Sequence, residues 1–519
     1  MRNAVRWSSR RSGVMILQLF AVVGFAIGPA SAQLPAPAGD PVVTLQGIPP
    51  DVLRRNAFRR LKYFHDQRAY PFDRIPLGAY SRARQYYDQT FGPKHLGAES
   101  PAFSQNRWTA IGPDRISSGA GDLADSGRIN TIAINPSNTS IIYAGGATGG
   151  VWKTTDGGAT WVALTDTQCS LAMGSIAIDP SNASIIYAGT GEENFSGDSF
   201  YGCGVLKSTD GGTTWTQLGG SIFDTTAGGA TIGKIVIHPS VTSTLLVASD
   251  FGLYRSTDGG ASFALVQSGV ATDVVIDPAS PGTMYAAVGN LFGAAANGVY
   301  KSTDTGATWT KLAGGFPTAS VGRINLAIAA SSPSTIYAAV QNSGSFTLLG
   351  IFKTTDGGTS WVSLSASGAT CSTQCWYDMV IAVDPTNVNT VYFGGVSLFK
   401  STNGGTSFSD ITGLIHVDQH AFVFLPGNAN TVFSGNDGGI FKSTDGGTTW
   451  TSLNTNIAIT QFYSGLSLHP TSAATALGGT QDNHTLLYTG STVWAPVSFQ
   501  GVGGCDGGFI PYNFWIAVV

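Results

Sequence analysis

Charge is scarce in this chain: only 11% of its 519 residues are Asp, Glu, Lys or Arg, against about a quarter in an average globular protein. Glutamate is rarer still, with Glu99, Glu192 and Glu193 the only three. So little Glu and Lys excludes a long helical or coiled-coil protein, and 42% hydrophobic residues exclude charge-driven disorder. Basic residues are thin where a nucleic-acid surface would need them: residues 95–519 hold 13 Lys and Arg against 26 Asp and Glu. An acidic body of this kind argues against a phosphate-backbone partner. After residue 32 no apolar run is long enough to span a bilayer, which takes about 20 residues. What the chain does have is glycine, 68 residues of it, without a collagen period, and this predicts many turns.

Residues 1–32 read as an export signal: Arg2, Arg6, Arg10 and Arg11 precede an apolar run over 14–27, and Ala30-Ser31-Ala32 offers a cleavage site. The run is short for a membrane anchor, so the mature chain is expected to be secreted or periplasmic, with no membrane span. Residues 33–53 read as a linker. Residues 54–95 are basic, with ten Lys and Arg against three Asp over 54–94, and Leu53, Phe58, Leu61, Tyr63 and Phe64 suit an amphipathic helix that clasps the acidic body. The body itself is expected over 96–519.

One phrase occurs seven times: KTTDGGATW from Lys153, KSTDGGTTW from Lys207, RSTDGGASF from Arg255, KSTDTGATW from Lys301, KTTDGGTSW from Lys353, KSTNGGTSF from Lys400 and KSTDGGTTW from Lys442, at spacings of 54, 48, 46, 52, 47 and 42 residues. Between the boxes a second phrase recurs eight times, typified by TIAINPSNTSIIYAGG from Thr131; the eighth copy, from Gly465, is followed only by a decayed box, TGSTVW from Thr489. Repetition at this period marks one supersecondary unit per repeat. Each unit reads as four short strands: one on each side of the Pro turn, one running into the Asp-Gly-Gly turn and one leaving it. Consecutive four-stranded antiparallel sheets predict an all-β fold, a β-propeller of about eight blades. Asp156, Asp210, Asp258, Asp304, Asp356, Asn403 and Asp445 are then structural turn residues rather than metal ligands. The Trp or Phe closing each box suits packing against the next unit.

The S/T-x-D/N-x-G-x-x-W/F pattern resembles the Asp box, or BNR repeat, of sialidases, sortilin-type receptor domains and xyloglucan-cleaving glycoside hydrolases, over about residues 108–500. The phrases YFHDQRAYPFDRIPLGAYSRA, GTGEENFSGDSFYG and HVDQHA with GNDGG and GTQDN are similar to a group of secreted bacterial Asp-box proteins. That likeness implies the propeller, and leaves open a sortilin-like binding role or glycosidase activity.

Topology places the site. Pro turns and boxes share one face, so the second-to-third strand loops and the interblade links share the other. The start positions of the innermost strands are filled by Arg128, Tyr377, Asp418 and Phe462, with Arg323 close by and Asp378, His416 and His420 adjacent. These are the expected ligand-binding residues at the mouth of the central channel. His416 and His420 lie about 13 Å apart along an extended strand, too far for one zinc ion, so no metal and no cofactor is expected. Glycosidase chemistry needs two carboxyls about 5–9.5 Å apart. The candidates on this face are Glu192, Glu193, Asp198, Asp378, Asp418, Asp437 and Asp482, and Glu192 and Glu193 point to opposite sides if extended. Sialidase chemistry clamps a carboxylate with arginines, but outside the boxes the body offers only Arg107, Arg115, Arg128 and Arg323. Arg74-Ile75-Pro76 follows Asp73 in the basic segment and not a strand, so sialidase activity is not expected.

Five cysteines in an exported chain permit disulfides. Cys169 and Cys203 both fall on the loop face and are placed to pair, as are Cys371 and Cys375 within one interblade link; Cys505 is left over. Near the end, GGFIPYN from Gly507 looks like a ninth inner strand. Either the ring closes with the N-terminal WTAIGP strand, or the chain continues in a longer protein. The expectation is therefore an exported propeller binding an extracellular protein, peptide or glycan, not nucleic acid, on the loop face. The alternative is a polysaccharide-cleaving, xyloglucanase-like hydrolase using two loop-face carboxylates.

Overall fold

The computed structural model describes residues 110–117 and 123–497 except 197–198, 226–227, 464–465 and 470, together with Tyr86 and Gln89. The expected export signal, the expected linker, almost all of the basic segment, Asp198, Cys505 and the expected C-terminal strand lie outside the described residues. Among those described, the architecture is almost purely β, built of eight consecutive sheets of four or five strands and one two-stranded hairpin, Asp224–Thr225 with Gly228–Gly229. Helix is confined to Tyr86 and Gln89 and to the single turn Gly220–Phe223 among the described residues, and no described helix is long and apolar enough to cross a membrane.

Blade 1 shows the pattern: Ile129–Ile134, Ile142–Gly146, Gly150–Thr154 and Val162–Ala163 pair antiparallel in sequence order. Its second strand is buried at every residue, because both faces of an inner strand are covered by neighbouring blades, and the sequence answers with an unbroken apolar run. Its outermost strand is two residues long and leaves Val162 64% exposed. Keeping the outer strand this short limits the unpaired edge offered to other chains. Blades 2 to 7 repeat this order, starting from Met173–Ile178, Ile232–Ile237, Ala271–Ile276, Val321–Ile328, Val380–Val383 and Gln419–Leu425.

Each innermost strand touches the next, and Gln419–Leu425 touches Ile129–Ile134, so the seven box-carrying blades close a cycle. The closure is apolar: Ile129, Ile142 and Trp161 of blade 1 pack with Phe433, Ile440 and Leu453 of blade 7. The eighth sheet is Ser467–Leu468, Ala476–Gly479, Thr485–Tyr488 and Val493–Val497. Its outer strand takes Arg115–Ile116 as a parallel fifth member, with Arg115 opposite Val493. The N-terminal segment thus joins the last sheet.

The boxes are closed by hydrogen bonds that the motif spells out. In blade 1, Thr154 Oγ1 donates to Asp156 Oδ1 (2.6 Å) and accepts from Gly158 N (3.0 Å), while Thr160 N and Oγ1 donate to the two Asp156 oxygens (2.9 and 2.6 Å). Position 157 needs a left-handed backbone, and Gly157 supplies it at φ 75°. Thr305 fills the same position in blade 4 at φ 61°. Box and Pro turn meet on one face, through Gly157 N to Ser140 O (2.9 Å) and its counterpart Gly211 N to Ser184 O (2.9 Å).

The box lysine and the strand tyrosine fasten adjacent blades. Lys153 Nζ and Tyr143 Oη donate to Gly211 O of the next box (2.8 and 3.1 Å), and Lys207 with Tyr187 does the same to Gly259 O (2.9 and 3.1 Å). The closing Trp faces the other way. It packs on the preceding blade rather than the next: Trp161 Nε1 donates to Leu453 O (2.9 Å), and Trp450 Nε1 to Ile411 O (3.1 Å). The chain leaves each box along the outermost strand, which carries the indole back over the loop it has just crossed. Burying one such ring, about 150–250 Å², contributes up to about 4–6 kcal/mol.

Candidate functional site

Opposite the boxes, side chains from blades 2, 6 and 7 and from the eighth sheet converge on Arg128, the residue before the inner strand of blade 1. Its Nε pairs with Glu192 Oε1 (2.8 Å) from the long loop of blade 2, and Nη2 donates to Oε2 (3.3 Å). Its Nη1 donates to Tyr377 Oη ahead of blade 6 and to Gln481 Oε1 (3.2 Å) from the eighth sheet, and lies 3.6 Å from Asp437 Oδ2 of blade 7. Tyr377 Oη in turn donates to Asp437 Oδ2 (2.6 Å), and His420 Nε2 meets Asp437 Oδ1 (2.7 Å). Asn194 Nδ2 donates to Glu192 Oε1 (2.9 Å), holding that carboxylate from its other side. Burial alone would raise the pKa of Asp437, but the charges of Arg128 and His420 outweigh it and hold the carboxyl well below the usual range.

Arg323, near the start of the blade 5 core strand, forms a second centre. Its Nη1 donates to the carbonyls of Trp376 (3.2 Å) and Tyr377 (2.8 Å), and its guanidinium lies over the ring of Phe195 (5.9 Å). Glu193 turns away from Glu192 toward Gly233, where a Cβ would sit 1.9 Å from Glu193 Oε2; only glycine leaves room for this carboxyl. Burial and then the charge of Asp250 push Glu193 well up, against the pull of Arg323. Below these groups runs a polar cavity of about 170 Å³. Asn130, Ser175, Glu193, Lys234, Asp273 and Arg323 line it.

Asp418, Asp437 and Asp482 bring one carboxylate oxygen each to within 4.8 Å of the others. Asp418 is in the left-handed region at φ 61°, so it stands outside the strand, which begins at Gln419. That break separates the two histidines that an extended strand would line up. His416 Nε2 reaches the Asp482 carbonyl (3.0 Å) while His420 reaches Asp437 (2.7 Å). Asp378 is fully buried, and burial followed by the nearby Asp418 charge raises its pKa well above the ordinary value.

The structure thus brings Arg128, Glu192, Tyr377, His420 and Asp437 into one network, sets Arg323 and Glu193 beside it, and gathers Asp378, Asp418 and Asp482 at its edge. Phe462 is elsewhere. It packs on Trp494 (5.4 Å between ring centroids) and bridges to Thr480 within the eighth sheet, because that copy of the repeat stands beside the seven-blade cycle. The loop of the eighth sheet takes its place at the mouth: Gln481 contacts Arg128 and donates to Asp437 Oδ2 (3.3 Å), and Asn483 Nδ2 donates to the Asp437 carbonyl (2.9 Å). Gln481 was visible only as part of the GTQDN phrase.

A second feature of this face escaped sequence reasoning. Leu291, Phe346, Trp376 and Tyr377 form a cluster with Phe195 against it. Phe292, edge-on to Phe346 at 6.0 Å, is 46% exposed, and Phe200 is 38% exposed. The one available signal is the length of the 289–297 loop between the second and third strands of blade 4. Both expected disulfides are present, Cys169–Cys203 and Cys371–Cys375, with Cα separations of 6.2 and 5.2 Å; they brace the long loop of blade 2 and the link that carries Trp376.

The fold is similar to that of GH74 enzymes. The Niastella koreensis GH74 enzyme matches with a TM-score of 0.51 at 19% identity, over 75% of this chain and 69% of that one. The GH74 xyloglucanase from Xanthomonas campestris gives 0.52 at 18%, over 75% and 70%. An ancestral GH74 enzyme gives 0.56 at 17%, over 75% and 56%. No family model matches the chain, and no curated protein matches it. At these identities the likeness shows the β-propeller fold.

Proposed function

We propose that this is an exported propeller that binds an extracellular glycan or peptide on the face opposite the boxes. The aromatic platform carries this reading: Phe292 stands exposed edge-on to buried Phe346, in the cluster that also holds Trp376, and Phe200 is exposed on the blade 2 loop of the same face. Large rigid rings on a buried support are the residues that anchor ligands with little entropy loss. The acids nearby are engaged otherwise. Glu192 and Asp437 are 1% and 0% exposed and held by Arg128, Tyr377 and His420, a positioning network rather than a cleft open to substrate. Binding is tested by titrating soluble polysaccharides and peptide libraries against the full chain. Phe292→Ala and Phe200→Ala are each expected to weaken binding at least tenfold with no change in Tm. Wild-type affinity in both variants would overturn the platform.

A hydrolase is the second reading, supported by carboxyls pushed in opposite directions, Asp378 up and Asp437 down, the pattern of an acid and a base. Loop 480–484 would have to move for a substrate to reach them. Glycan cleavage by the wild type that is lost in both Asp378→Asn and Asp437→Asn, with the fold intact by Tm, would establish hydrolysis and sink a binding-only role.

A further inference from the structure

The polar cavity of about 170 Å³ is lined by residues from the inner strands of all seven blades of the cycle. Two cations and two carboxyls line it together: Arg323 and Lys234, Glu193 and Asp273. Glu193 feels the charge of Arg323, and Asp273 that of Lys234, yet among the described residues none of the four forms an ion pair. The same residues hold hydrogen-bonding atoms that the protein leaves unused. Of the Arg323 guanidinium only Nη1 is bonded, to the carbonyls of Trp376 and Tyr377, so Nε and Nη2 remain as donors along one edge. Lys234 is exposed, which gives solute a way in. On the acceptor side, neither Glu193 oxygen makes a hydrogen bond of good geometry, although the Gly233 amide is close, and Asn325 Oδ1 and His420 Nδ1 have no partner among the described residues. The His420 side chain is 1% exposed, burial pushes its pKa down, and Nε2 uses the ring proton on Asp437 (2.7 Å), so Nδ1 is a free lone pair. Buried acceptors without a donor are costly to keep.

We infer that this cavity binds a small zwitterion, a free α-amino acid with a short side chain, its ammonium group on Glu193, Asn325 and His420 and its carboxylate on Arg323 and Lys234. The free edge of Arg323 presents two N–H groups spaced for both oxygens of one carboxylate. The unused atoms opposite are all acceptors, which an ammonium group with three donors answers. Ligands with a single pole fit worse. A simple amine or a metal ion would sit beside two cations that nothing neutralises, and a simple carboxylate would leave Glu193, Asn325 and His420 as they are. Water fits the space but brings charge to neither set. Burial and the charge of Asp250 hold Glu193 well above its ordinary pKa, and an ammonium group beside it would let it ionise. Size sets the class: an apolar cavity of about 150 Å³ holds benzene, so about 170 Å³ suits about five to eight non-hydrogen atoms, the range from glycine to threonine. This inference does not rest on the aromatic platform.

The test titrates the full chain, dialysed free of small solutes, with glycine, L-alanine, L-serine and L-threonine by calorimetry. At least one is expected to bind at one site per chain with Kd below about 1 mM, within what so few atoms can supply. Acetate and methylammonium, which carry one pole each, should bind at least tenfold more weakly. Glu193→Gln, which keeps the volume of a buried side chain, and Lys234→Met, which changes an exposed one, should each weaken the amino acid at least tenfold. They are made separately so that one misfolded variant does not decide the matter. The exposed variant Asp166→Asn should leave binding unchanged. No heat and no shift in Tm with any of the four amino acids up to about 10 mM, tenfold above the weakest expected Kd, would mean a channel filled by water and would overturn the site. Binding that survives both variants would also overturn it, as would acetate or methylammonium binding as tightly as the amino acid.

Discussion

Replacing Arg128 by Met should be among the most damaging single changes on the loop face. Arg128 is 3% exposed and stands between Glu192 and Asp437, 1% and 0% exposed. Removing it leaves two buried carboxylates without their main counter-charge. Breaking a buried pair from one side costs about 3–5 kcal/mol, since the remaining ion stays desolvated. Unfolding entropy for a cooperative unit of about 370 residues is about 0.8 kcal/mol/K, so the expected fall in Tm is about 4–6 °C. The converse change is milder. Glu192→Gln keeps Arg128 in contact with Tyr377, Gln481 and Asp437, and should cost about 1–2 kcal/mol. In the double variant one carboxylate no longer needs neutralising, so it should be more stable than Arg128→Met alone, and the cycle should give a coupling of about 1–3 kcal/mol. Urea titrations of the four proteins at pH 7, followed by tryptophan fluorescence, measure all these quantities. An Arg128→Met cost under about 1 kcal/mol, or no recovery in the double variant, would mean that the network is solvated and not the keystone described here.

Two further outcomes follow from local geometry. Thr305 occupies at φ 61° the turn position that glycine fills in the other boxes, at φ 75° in Gly157 and 71° in Gly211; Thr305→Gly should stabilise by about 0.5–1 kcal/mol, the left-handed penalty less the entropy of a new glycine, read as a higher urea midpoint. Stability should also pass through a maximum between about pH 4 and 6. Asp250 is raised to about 7 by burial, so the folded state binds its proton more tightly and stability grows as pH falls from 7 toward the ordinary carboxylate value. Asp210, Asp258 and Asp356 are lowered to about 2 by their box hydrogen bonds, so their contribution is present above that ordinary value and lost on further acidification. Tm measured from pH 8 to 2.5 should show both limbs, with Asp250→Asn flattening the upper one; a monotonic profile would contradict the assignment.

The blades were readable in advance because their instructions are local. A box of nine residues closes on itself: Thr154, Asp156, Gly158 and Thr160 bond within six positions. Repetition of such a unit is visible to counting. The disulfides too join residues whose placement follows from blade order, Cys169 with Cys203 and Cys371 with Cys375. The direction of the closing Trp was not readable, since both neighbours of a blade offer an apolar face.

The site was harder to read because its bonds are long in sequence and depend on how the ring closes. Arg128 pairs with Glu192 64 positions on, Tyr377 249 on and Gln481 353 on, and no local rule chooses these partners. Counting repeats gave the eighth copy the same role as the others, and so put Phe462 at the channel mouth. The contact between blades 1 and 7 instead leaves the eighth sheet beside the cycle, where its Phe462 serves its own core and its loop reaches in with Gln481 and Asp482. A sheet that no longer completes the ring is free to present a loop to it. Its backbone carbonyl at Asp482 meets His416, its Gln481 joins Arg128 to Asp437, and its carboxylate completes the acidic cluster. The scarcity of charge that the sequence shows at once acquires a physical meaning here. In a body with so few ions, several acids have been placed where only a specific arrangement of cations, donors and ring geometry keeps them buried, and that arrangement depends on the one repeat that departs from the others.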